Sequence, residues 1–172
     1  MSNANYHLKR RHRLTPALLF LLGSVSVLVL GALTGNFPGD STVDIHLHDT
    51  YFVIAHSYLM VGVAGFFGMF AAIYHWFPRI FGRLMNDTLG YIHTWVTILV
   101  TLLIFWRMHY DGVGGMPRRY VDNKNWLLFD QFNDLNKFIP AAALIVFAVQ
   151  ALFIFNFCFS IFRGPTANTR RS

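Results

Sequence analysis

Residues 48–77 read HDTYFVIAHSYLMVGVAGFFGMFAAIYHWF. Between Tyr51 and Phe77 there is no Asp, Glu, Lys or Arg. A bilayer core is crossed by about 20 apolar residues in a helix. Lipid offers the backbone no hydrogen-bond partners, so such a segment must bond internally and is predicted to be helical. His56 lies inside this span. An ionisable side chain there is costly, which makes it a functional candidate. His48 and Asp49 stand just before the span. Two positions after His56, about 200° around the helix, comes Tyr58.

Three further apolar runs flank this one, at approximately Pro16–Gly35, Thr88–His109 and Phe138–Phe162. Together they predict an all-α, polytopic membrane protein with four transmembrane helices. Pro78 is placed to help stop the second helix. Asn86 or Asp87 can cap the third. Pro140 falls in the first turns of the fourth, where a missing N–H does little harm. The expected organisation is a basic cytoplasmic tail at 1–15, a four-helix membrane domain at 16–163 and a cytoplasmic tail at 164–172. Residues 16–35 are long for a signal-peptide core and no A-x-A pattern follows them, so this run is read as a retained span.

The composition agrees: 55% of residues are hydrophobic and 13% charged. The net charge of +6 does not point to nucleic acid, because the basic residues cluster at span ends rather than along one face. Lys9, Arg10, Arg11, Arg13, Arg79, Arg83, Arg163, Arg170 and Arg171 all fall on one side of a four-span chain. Both termini are therefore expected in the cytoplasm or matrix. Arg107, Arg118, Arg119, Lys124 and Lys137 oppose that trend. All eight acidic residues are Asp. The single Cys158, deep in an apolar run, reads as a packed thiol. Ala64, Gly68 and Ala72 form a small-residue line suited to close helix packing. His75, His93 and His109 stand near span ends and read as interfacial. Trp76, Trp95 and Trp106 read as packing and interface anchors.

Several stretches carry a resemblance. They are Asp44-Ile45-His46-Leu47-His48-Asp49-Thr50-Tyr51-Phe52-Val53-Ile54-Ala55-His56, His75-Trp76-Phe77-Pro78, Asn86-Asp87-Thr88, Ile92-His93 and Gly115-Met116-Pro117-Arg118-Arg119-Tyr120. With their spacings, they resemble the last four of twelve helices in subunit I of the haem-copper respiratory oxidases, in the cytochrome c oxidase branch. The likeness is specific from about Asp44 to Tyr120 and weaker in the first and fourth spans.

That resemblance implies roles residue by residue. The His56 position is the axial ligand of the high-spin haem. The His48 and Asp49 positions help bind magnesium, with a further ligand from subunit II. Arg118 and Arg119 correspond to residues that hold haem propionates, and Asp44 lies near them. The chemistry is compatible: imidazole ligates haem iron, Asp and His bind divalent cations, and guanidinium suits carboxylates. Blander readings stand beside these. His56 can be a packed polar residue, His48 and Asp49 a helix start, and the arginines solvated loop charges. The resemblance also breaks at one point. Its second histidine, which ligates the low-spin haem, is replaced by Tyr58, and a neutral phenol is a poor substitute.

Three functional readings result. The favoured one is an accessory, degenerate paralogue within a membrane respiratory cytochrome c oxidase complex. The second is the C-terminal part of a split catalytic subunit I, supplying His56 to the high-spin haem. The third is a small membrane haem protein. The cofactors in question are haem through His56 and magnesium through His48 and Asp49, or neither. The expected partners are other oxidase subunits and the lipid bilayer. The expected location is a bacterial or mitochondrial inner membrane. On its own the chain is not expected to reduce oxygen.

Overall fold

The computed structural model describes residues 14–119 and 133–167, apart from the side chains at 37–38 and 133–136. Most of the basic N-terminal tail, Tyr120, Lys124, Arg170 and Arg171 lie outside the described residues. Among the described residues six helices follow in order: α1 Pro16–Thr34, α2 Asn36–Gly39, α3 Ser41–Leu47, α4 Tyr51–Phe81, α5 Asp87–Val113 and α6 Asn133–Arg163. Of these, α1, α4, α5 and α6 are long and apolar enough to cross a membrane.

Short polar side chains start the helices. Thr15, Asp40, Thr50 and Asn86 each stand in extended backbone and accept a hydrogen bond from the first turn they precede. Each satisfies an N–H that the helix leaves orphaned. Asn86 therefore caps α5, and Asp87 is its first residue. At Asp40, bonds from the Thr42 side chain and backbone hold the carboxyl below its usual range.

Two proline expectations are corrected. Pro78 does not end α4: the helix runs on to Phe81 and stops at Gly82, whose φ of 62° is the left-handed conformation glycine adopts readily. Pro78 has no N–H to give the Tyr74 carbonyl four residues back, yet the helix continues for three residues past it. Pro140 lies inside α6, because that helix begins earlier than its apolar run, at Asn133. The α4 helix also contains a π-helical segment, Tyr58–Val63, which starts two residues after His56.

The core lies where α1, α4 and α6 meet. It is built from Phe20 and Val27, then Leu59, Val63, Ala64, Phe67, Phe70 and Ala71, then Phe153. In lipid, burial exchanges one apolar contact for another, so close packing and hydrogen bonding hold helices together. The small-residue line does this: Ser24 Oγ donates to the Ala64 carbonyl at 2.8 Å, beside Gly68. At the other contact, α4 and α5 touch through Gly112, where an added Cβ would lie 2.6 Å from Phe52 Cα.

His93 departs from the interfacial reading: its side chain is fully buried. Nε2 donates to Gln150 Oε1 at 3.1 Å, and Nδ1 accepts from the Tyr74 hydroxyl at 3.1 Å. Gln150 Nε2 continues to Thr97 Oγ1 at 3.3 Å. Phe20, Phe70 and Phe153 surround the ring. A polar group at this depth persists because both ring nitrogens are satisfied. Cys158 also departs from expectation, as its residue is exposed on α6. Trp76, Trp95 and Trp106 are exposed, which suits anchoring more than internal packing.

Candidate functional site

The segment preceding α4 and the segment following α5 are stitched together. Tyr51 N–H donates to the Met116 carbonyl at 3.0 Å, and Arg118 N–H donates to the Asp49 carbonyl at 2.9 Å. Thr50 and Pro117 form an antiparallel bridge. Positive φ at Gly115 (80°) and Arg119 (72°) turns the chain on either side. Residues far apart in sequence thus meet at one end of the bundle.

Arg118 donates to Asp49 Oδ1 through Nε at 3.2 Å and Nη2 at 2.9 Å. The other carboxylate oxygen, Oδ2, lies 3.2 Å from His48 Nε2. His48 Nδ1 is 3.2 Å from the carbonyls of Asp44 and Ile45. Carbonyls only accept, so Nδ1 carries a proton. In a neutral imidazole Nε2 is then a lone pair facing a carboxylate lone pair. Only a proton or a cation between them makes that contact favourable. Two donors about 3 Å apart also suit neighbouring positions around a small cation bound at roughly 2.1 Å. Among the described residues no group of three or more His, Cys, Asp or Glu gathers, so the pair supplies two ligands at most. One carboxylate and one imidazole can hold a divalent cation, and magnesium in particular keeps several waters of its own.

Arg118 and Arg119 are not paired in space. Arg118 is committed to Asp49, while Arg119 is turned into left-handed backbone and is exposed. Asp44 contributes its backbone carbonyl to His48, and its side chain is half-buried. His46 is exposed.

His56 is half-buried on α4, one to two turns below this cluster. Its Nδ1 is 3.2 Å from Thr34 Oγ1 at the end of α1. A Cβ added at Gly35 would lie 2.9 Å from His56 Cε1, so the ring is seated against the α1 terminus. Nε2 has no hydrogen-bond partner among the described residues. A half-buried imidazole with one nitrogen held and the other open fits axial ligation of haem iron. Tyr58 is 63% exposed.

Four neighbours were not singled out as site candidates from sequence: His109, Arg107, Asp111 and Thr34. His109 packs edge-on against Phe52 and donates Nδ1–H to the Phe105 carbonyl at 2.8 Å. Its Nε2 is buried without a hydrogen-bond partner among the described residues. Arg107 Nη2 lies 3.9 Å from Asp111 Oδ1, and Asp111 is 1% exposed. The i,i+4 spacing of Arg107 and Asp111 was the available signal. Thr34 had none, because nothing in α1 alone says that His56 will meet it.

Residues 1–149 match the family described as Cytochrome C and Quinol oxidase polypeptide I. The alternative cytochrome c oxidase subunit 1 of Bradyrhizobium diazoefficiens is 45% identical over 152 residues, 88% of this chain and 26% of that protein. Cytochrome c oxidase subunit 1 of Thermostichus vulcanus is 38% identical over 90% of this chain and 27% of its own length. Cytochrome c oxidase polypeptide 1 of Halobacterium salinarum is 33% identical over 91% of this chain and 26% of its own length. The chain thus spans about a quarter of the length of these curated relatives. With four membrane-crossing helices and this match, the chain is an integral membrane protein that belongs to the cytochrome c and quinol oxidase polypeptide I family.

Proposed function

We propose that this chain works as the subunit I-like component of a respiratory cytochrome oxidase complex and supplies His56 Nε2 as the axial ligand of a haem. The observation that carries this reading is the seating of the His56 ring: one nitrogen is engaged by α1 and the other is left open. A haem bound there would supply a redox-active iron. His56 would hold it, α1 would fix the orientation of the imidazole, and the surrounding helices would limit water. His48 and Asp49 are proposed as ligands to magnesium, completed by water and a partner subunit. Arg118 would keep the Asp49 carboxylate in place. Arg119 is offered as the propionate-binding guanidinium, since Arg118 is already engaged.

We further propose that both termini face the cytoplasm or matrix. Arg79, Arg83 and Arg163 support this, because they gather at one end of the bundle. There Arg83 donates to the carbonyls of Phe162 and Gly164, each at 3.0 Å.

A second reading, an accessory subunit without its own haem, is favoured by one observation. Tyr58 offers an exposed phenol where the resemblance implies a second imidazole. The test is the haem content of the purified complex. In the His56→Ala variant the haem held through this chain is expected to disappear from the reduced-minus-oxidised spectrum, while His75→Ala leaves it intact. An unchanged spectrum in His56→Ala would support the accessory reading instead.

A further inference from the structure

We infer that Thr34 is a positioning residue that selects the tautomer of His56, so that Nε2 rather than Nδ1 presents its lone pair. This deepens the haem-ligand reading and rests on it.

The argument begins with the single proton of the Thr34 hydroxyl. Thr34 Oγ1 is 3.0 Å from the Gly31 carbonyl and 3.2 Å from His56 Nδ1. A carbonyl can only accept, so the shorter contact consumes the hydroxyl proton. This back-bond from threonine to the preceding turn is a local geometry that helices favour. Toward His56, the hydroxyl oxygen then has only lone pairs. The imidazole must donate, and Nδ1 carries the hydrogen. A neutral imidazole has one N–H, so Nε2 is left bare. Metal-bound imidazole usually has its other N–H engaged in this way, which fixes the ring and raises its basicity as a ligand.

Ring position is set independently by Gly35. Its lack of a Cβ leaves room for His56 Cε1, where an added Cβ would sit at 2.9 Å. Thr34 and Gly35 are consecutive, so one turn at the end of α1 governs both the protonation and the seating of a side chain on α4. The contact spans 22 residues of sequence.

Two substitutions separate this role from simple packing. Thr34→Ser keeps the oxygen, and Thr34→Val keeps the shape while removing it. The complex is purified with ¹⁵N-labelled histidine, with His56→Ala used to assign the His56 signals. Solid-state NMR then reads the tautomer in haem-depleted membranes. Resonance Raman reads the iron–imidazole stretch in the ferrous complex. The expected result is a protonated Nδ1 and bare Nε2 in wild type and Thr34→Ser. In Thr34→Val the Nε2–H tautomer should rise to half or more of the His56 signal. The iron–imidazole stretch should fall in Thr34→Val and return in Thr34→Ser. Wild-type tautomer and stretch in Thr34→Val would overturn the inference while leaving His56 as the ligand. Loss of no haem in His56→Ala would overturn the ligand reading itself, and with it the positioning role.

Discussion

Arg118 and Asp49 are 69 residues apart, yet both Nε and Nη2 of the arginine fall on one carboxylate oxygen, Oδ1. The other oxygen is thereby left to His48. The ion pair is partly exposed, so it contributes only about 0–1 kcal/mol to folding. Its larger effect is orientation: it decides which lone pairs of Asp49 face outward.

That division predicts the metal dependence. Arg118→Gln should weaken cation binding at His48 and Asp49 by about 10–100-fold, the usual cost of losing a group that orients a ligand. Asp49→Asn should weaken it at least as much. Manganese incorporated in place of magnesium, read by electron paramagnetic resonance of the complex, measures this. An unchanged manganese signal in both variants would leave His48 and Asp49 as a helix start only.

The half-buried Arg107 and the buried Asp111 should behave differently from the exposed pair. Removing Arg107 strands the Asp111 carboxylate out of water, at a cost of about 3–5 kcal/mol. Arg107→Met is therefore expected to destabilise strongly. The double variant Arg107→Met with Asp111→Leu should recover most of that loss. A denaturation series on wild type, both single variants and the double variant gives the coupling. Additive effects would mean the two side chains do not compensate each other.

Helix contact at Gly112 leaves no space for a side chain. Gly112→Ala places a Cβ against the Phe52 backbone and should cost roughly 1–3 kcal/mol or more by forcing α4 and α5 apart. Gly65→Ala meets nothing within 4 Å and should be neutral or stabilising by about 0.5–1 kcal/mol. Thermal stability of the two variants in the same lipid tests the contrast. Equal stability would mean that α4 and α5 are not held at this separation.

Gln150→Leu removes the acceptor of His93 Nε2–H and the donor to Thr97. Interhelical hydrogen bonds in membranes contribute about 0.6–2 kcal/mol each, so a loss of about 1–3 kcal/mol is expected. Stability in mixed detergent should fall accordingly, with the haem spectrum unchanged. A spectral change of the kind expected for His56→Ala would instead connect this cluster to the site.

The proposed orientation is testable by labelling. In a Cys158→Ser background, cysteines introduced at Ser2 and Ser172 should react only with reagents that reach the cytoplasmic side of sealed vesicles. Reaction from the opposite side would invert the proposed topology. The native thiol must be removed first, because Cys158 is exposed on the outside of α6.

Helix number, approximate span and family were legible in the residue order. Long apolar runs without charge admit one backbone solution in lipid, and the spacing from Asp44 to Arg119 is carried by local sequence. The helix ends were less legible. Pro78 looked like a stop, but the helix runs through it to Phe81, and the left-handed Gly82 ends it. His93 looked interfacial because its depth was judged along α5 alone. Its burial comes from Tyr74 on α4 and Gln150 on α6, which sequence distance conceals. Cys158 looked packed because apolar neighbours are shared by lipid-facing and core-facing helix surfaces.

Sequence alone determined that this protein is a four-helix membrane member of its family, with His48, Asp49 and His56 as candidate ligands and Tyr58 at the altered position. Those properties depend on hydrophobic length and local spacing. Only the tertiary structure decided that Arg118 and Arg119 part company, that Asp111 is buried beside a half-buried Arg107, and that Thr34 meets His56. Each depends on which face of one helix meets another. That is set by the sum of packing across α1, α4, α5 and α6, and no single segment contains it.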